Sequence, residues 1–175
     1  MKLRQVFIVL CATLFLSFGL SEKIQKKVFK QIKSTYDVET FEFTPFQIDE
    51  AVAKELPSKF EDDNFFTITS DAKIVGYAYV AKAPSKTAQF DYLILLDPDL
   101  TVKKAKVLIY REEYGGEIGS KRWLRQFVGK TPKDELKYEQ DIVAISGATI
   151  SVRSMTSAIN DLLRSLHILQ SKNIL

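Results

Sequence analysis

The sequence predicts an α+β domain built from an antiparallel β-sheet with flanking helices and a long C-terminal helix. Three observations lead there. Four stretches rich in Val, Ile, Tyr and Phe succeed one another between residues 65 and 110, as strands do. The connections between them are too short to hold the crossover helices that parallel neighbours require. Val152, Met155, Ile159, Leu162, Leu166 and Leu169 then recur at spacings of three and four, the stripe of one long amphipathic helix from about Ser151 to Gln170. The length of 175 residues suits one domain of ordinary size, ~100–150 residues, with a short appendage. It excludes a multidomain enzyme, and a hydrophobic content of 46% makes a globular chain, not a disordered one, the default.

Residues 1–19 read as an export signal. Lys2 and Arg4 precede an apolar run from Val6, and Ser17-Phe18-Gly19 places small residues before a cut after Gly19. The run is shorter than the ~20 residues of a spanning helix, which favours cleavage over anchoring. The expected location is periplasmic or otherwise extracytoplasmic, with membrane anchorage if the segment is retained. Residues 20–60 form an N-terminal helix and a connecting segment. Ser21 opens an amphipathic helix to Tyr36, with Ile24, Val28, Phe29 and Ile32 on one side. Its apolar stripe lacks Trp and Leu, which favours packing on the domain over lying on a membrane. Val38–Phe46 alternates and meets Pro45, the mark of an edge strand, and Ile48–Leu56 is a short helix closed by Pro57.

Residues 61–175 form the main domain. Strands are expected at 65–69, 74–81, 89–96 and 100–110. Ser70–Lys73 is a tight turn, and Asp97-Pro98-Asp99 puts Pro at the second position of a type I turn. Ala83–Ala88 is an irregular break where the sheet bends or bulges. A polar loop from Arg111 then carries three glycines, and Ser120 caps a helix whose Trp123, Leu124 and Phe127 share a core face, ended by Gly129 and Pro132.

Composition excludes several chemistries. The one Cys, Cys11, lies in the export signal, so the folded part has no disulfide, thiolate zinc site, haem attachment or cysteine nucleophile. The one His, His167, near the end of the last helix, supports neither a two-His metal site nor a catalytic triad. No catalytic residue and no metal site are expected. The formal charge of +3 falls to near balance once Lys2 and Arg4 are set aside, so nucleic acid is not an expected partner.

Chemistry concentrates in Ser146-Gly147-Ala148-Thr149, between the apolar Ile142–Ile145 and the last helix. Small residues and two hydroxyls at a helix start suit an anion. The alternative is that Ser146, Thr149 or Ser151 caps the helix. Three other stretches accompany this segment in order: Leu96–Leu100 before a strand ending at Tyr110, the loop Glu113–Gly119, and Trp123–Lys130. Together, over about residues 65–170, they resemble the FMN-binding domain family. Its members include the C subunit of the sodium-pumping NADH:quinone reductase, the G subunit of the Rnf complex and exported single-domain proteins.

The resemblance implies FMN joined by a phosphoester to Thr149, with Ser146, Gly147 and Ala148 around the phosphate. It places the ring against Glu113, Tyr114, Gly115 and Gly116, where glycines admit close approach. Arg153, one turn into the helix, is expected near the phosphate. The family's Asp three residues before the Ser is Val143 here, and the nearest acid is Asp141. The implied role is an electron-transfer carrier for a membrane-linked redox system, loaded by a separate flavin transferase that uses FAD and a metal ion, and served by a membrane or periplasmic redox protein. A flavin-dependent reductase acting on a small molecule, or a flavin-free binding or assembly module, are the other readings.

Overall fold

The structure, a computed structural model, describes residues 19–175, so the expected export signal lies outside the described residues but for Gly19. Five strands, β1 (Glu42–Pro45), β2 (Phe65–Ser70), β3 (Lys73–Pro84), β4 (Gln89–Leu96) and β5 (Val102–Ile109), form one sheet in sequence order, each antiparallel to its neighbour. Such a meander is the arrangement that short connections allow. Asp71 (φ 50°) and Ala72 (φ 61°) both take left-handed backbone in the β2–β3 turn, matching the twist of the hairpin. The Asp97 carboxylate accepts from Asp99 N–H (3.0 Å) and Thr101 N–H (2.8 Å), and so closes the β4–β5 turn.

The bend expected at Ala83–Ala88 is absent. Pairing stays in register out to Pro84 opposite Gln89, and a tight turn closes with Ser85 N–H donating to Ala88 O (2.8 Å). Register shifts fall elsewhere, between Ile68 and Thr69 and at both ends of the β4–β5 pair. Gly76 sits opposite the first shift. A Cβ there would lie 2.2 Å from Leu96 O and 2.5 Å from the Tyr36 hydroxyl. That vacancy admits the hydroxyl, which donates to Leu96 O at 2.7 Å.

Helices cover both faces. On one, α1 (Glu22–Tyr36) buries Ile24, Val28 and Ile32 against Phe43, Phe66, Leu93 and Leu95. The sheet thus takes up the stripe that a membrane would otherwise have taken. On the other face lies α4 (Thr149–Ser171), whose Val152, Met155, Ile159 and Leu162 meet Phe65, Tyr92 and Ile94. β4 is buried on both sides, which explains the apolar run Tyr92–Leu96. Among the described residues no helix is long and apolar enough to cross a membrane.

Two helices are shorter than expected. Ile48–Leu56 reduces to α2 (Glu50–Ala53), started by the Asp49 side chain. The helix after the glycine loop reduces to α3 (Lys121–Leu124) and a 3₁₀ turn, Arg125–Phe127. There Gly129 (φ 81°) turns the chain back onto β5. Gly129 N–H donates to Val102 O and Val102 N–H to Lys130 O, both at 2.8 Å. Strand pairing at the sheet edge thereby replaces another helical turn.

Candidate functional site

The site is assembled where α4 begins. Gly147 (φ 77°) turns the chain, Ala148 N–H donates to Ile145 O (3.1 Å), and Ala148 is the N-cap with no side chain capping the helix. The capping alternative therefore fails. Ser151 Oγ shares a hydrogen bond with the Tyr110 hydroxyl (3.0 Å), while Ser146 and Thr149 are exposed and cap nothing. The first helical bond runs from Val152 N–H to Ala148 O (2.9 Å), so the N–H groups of Thr149, Ile150 and Ser151 lie ahead of it.

The glycine loop abuts this turn. Gly115 has φ 75°, and a Cβ on it would lie 2.5 Å from Ala148 Cβ and 3.3 Å from Gly147 O. The two segments that the sequence singles out separately are thus in backbone contact. Beside them opens a cleft of about 390 Å³, lined by Lys86, Tyr110, Glu112, Tyr114 and the stretch Gly147–Ser151. Tyr114 (78% exposed) and Ile150 (50% exposed) give it unfilled apolar surface.

The family comparison covers this ground. Residues 85–164 match the model of the FMN-binding domain. The chain contains a domain of the FMN-binding family. The matched stretch runs from the β3–β4 turn into α4 and includes every residue of the cleft wall. A crystal structure of NqrC from Shewanella oneidensis is similar at a TM-score of 0.58, with 18% identity, over 82% of this chain and 93% of that one. That likeness establishes the fold. No curated protein sequence matches the chain.

The FMN-binding domain's expected site residues divide into three groups. Gly147, Ala148, Thr149 and Tyr114 line the cleft, and Gly115 packs behind it. Ser146, Glu113 and Gly116 are exposed and stand off its wall, and a Cβ on Gly116 would meet nothing within 4 Å. Arg153 is turned to another use, its guanidinium 4.7 Å from the centre of the Tyr138 ring. Val143 is exposed and held by its backbone, with its N–H donating to Gln126 Oε1 and its carbonyl accepting from Trp123 Nε1, both at 2.8 Å. Asp141 accepts from Lys137 N–H (2.8 Å) in a turn of its own and does not line the cleft.

Lys86, Tyr110, Glu112 and Ile150 of the cleft are not among the expected site residues. Glu112 accepts from Ser85 Oγ (2.6 Å), Thr87 N–H (2.7 Å), Thr87 Oγ1 (2.8 Å) and Ala88 N–H (3.1 Å). The Ser85 hydroxyl and then the two Thr87 donors hold its carboxyl down at about 2. This latch fixes the β3–β4 turn to the base of the glycine loop, and the turn carries Lys86 to the cleft. The irregular Ala83–Ala88 stretch was the only sequence signal.

The residues present fit FMN. The volume is within the ~300–1,000 Å³ usual for small-molecule sites. Tyr110, Tyr114 and Ile150 offer apolar wall for a flat ring, while free N–H groups and Lys86 suit a phosphate. Thr149 is exposed, so a bulky group on its hydroxyl is not blocked. Among the described residues no group of His, Cys, Asp and Glu is placed to hold a metal ion.

Proposed function

We propose that this chain is an exported electron carrier holding one FMN in a phosphoester to Thr149. The observation that carries the reading is the start of α4, where an exposed threonine stands at an uncapped helix N-terminus beside an apolar cleft. When bound, FMN supplies one- and two-electron redox chemistry. The chain's own residues hold and orient it. The N–H groups ahead of Val152 and the α4 dipole favour the single negative charge that a phosphate diester keeps. Lys86, held by the Glu112 latch, adds a cation, and Tyr110, Tyr114 and Ile150 exclude water from one side of the ring.

Loading falls to a separate flavin transferase. The Thr149 oxygen forms the new bond to phosphorus, the pyrophosphate bond of FAD breaks, AMP leaves and the hydroxyl proton is lost. No acid or base of this chain is assigned a role, which suits a carrier that exchanges electrons with membrane or periplasmic redox proteins. The test is the protein purified after co-expression with a flavin transferase in an export-competent host. Reversible bleaching of the visible flavin band by a chemical reductant, without steady turnover of soluble small acceptors, is expected. Steady turnover with a small acceptor alone would make it a reductase, and a colourless protein would remove the flavin reading.

A further inference from the structure

A second cleft, of about 460 Å³, lies away from Thr149 and shares no residue with the first. Its floor is Lys104, Ala105 and Lys106 of β5. One wall is the second half of α1, with Lys30, and the other is α3 and the turn after it, with Lys121 and Arg125. Five cations line it and no acid does. None of the five makes an ion pair among the described residues. The Lys104 ammonium donates to Ser34 Oγ (3.4 Å), and its pKa is lowered, first by burial and then by the like charges of Lys121 and Lys106. Yet the whole chain carries a formal charge of only +3. The apolar part of the lining is Ala105, Leu124 and Val128, the last 44% exposed.

We propose that this cleft is a docking surface for an acidic, extended segment of a partner protein. The charges come from three elements and are spread along the groove, so one phosphate would meet a few of them and leave the rest unneutralised. An extended chain sends side chains alternately to opposite sides, and so can set carboxylates against the lysines and an apolar residue against Val128 and Leu124. A bilayer is flat and would reach only the rim. An occupant with several carboxylates relieves the repulsion around Lys104, and the pairing weakens with salt.

The proposal does not depend on FMN, so unflavinylated protein serves for the test. A short peptide alternating glutamate with leucine is titrated into isotope-labelled protein and followed by NMR. Shifts centred on Lys104–Lys106 and Lys121–Val128 are expected. The Lys104→Gln/Lys121→Gln double variant should bind about tenfold more weakly, while Lys104→Arg/Lys121→Arg keeps the affinity. Both lysines reach solvent, and the glutamine variant should melt no lower than the parent because it removes repulsion. Shifts scattered over other lysines, or undiminished binding in the glutamine variant, would overturn the proposal. So would pyrophosphate or phosphatidylglycerol vesicles engaging these residues while the peptide does not.

Discussion

The two long helices among the described residues begin in opposite ways. At α1, Ser21 Oγ accepts from Ile24 N–H (3.5 Å) and Glu22 sits in the first turn, so both hydrogen bonding and charge complete the helix end. At α4 hydroxyls are more plentiful, yet the N-cap is Ala148, no side chain caps the end and the first turn has no acid. Ser151 goes to Tyr110 and Ser154 donates to Pro84 O, while Ser146 and Thr149 face solvent. A helix start left unfinished where finishing residues are at hand breaks a local rule, and such breaks are expected at functional or strained sites. The start of α1 is closed, and the start of α4, which lines the Thr149 cleft, is open.

The largest effect that would sharpen this contrast is expected at Gly115. Its φ of 75°, and the mere 2.5 Å that would separate an added Cβ from Ala148 Cβ, mean that Gly115→Val forces the loop off the start of α4. The backbone strain alone costs roughly 1–3 kcal/mol, and the variant should melt well below the parent. Gly116→Ala, one residue on, meets nothing within 4 Å and should melt within error of it. Equal losses for both would mean that the loop does not rest on Ala148.

A smaller effect compares the helix ends directly. Ser21→Ala removes a cap and should cost about 1 kcal/mol in denaturant unfolding. Ser146→Ala removes a hydroxyl that caps nothing and should cost less than about 0.5 kcal/mol. If Ser146→Ala were as costly as Ser21→Ala, the start of α4 would be capped after all and the contrast would break.

What the sequence made legible follows the range of each interaction. Strands and turns were readable because alternation, Asp-Pro-Asp and Ser-Asp-Ala-Lys act over a few residues. Ser21 as a cap and the stripe of α4 were readable for the same reason. The shortening of α3 was not, because it depends on Gly129 and Lys130 pairing with Val102, more than a score of residues earlier. In the site, Gly147, Ala148, Thr149 and Tyr114 were visible as motif. Lys86 and Glu112 were not, since the latch joins a hairpin turn to a distant loop through hydrogen bonds that no spacing announces. Arg153 shows the converse, where correct helical spacing from Thr149 was outweighed by the Tyr138 ring.

The most direct measurement is the intact mass of the chain, and of its Thr149→Ala variant, after co-expression with a flavin transferase. The parent should gain the mass of one FMN less one water, mapped to the peptide containing Ser146–Thr149. Thr149→Ala should fold and gain nothing, and Thr149→Ser should regain part of the addition. An added mass that survives Thr149→Ala, or a parent that never acquires it, would contradict the assignment of the open end of α4 as the place where FMN is held.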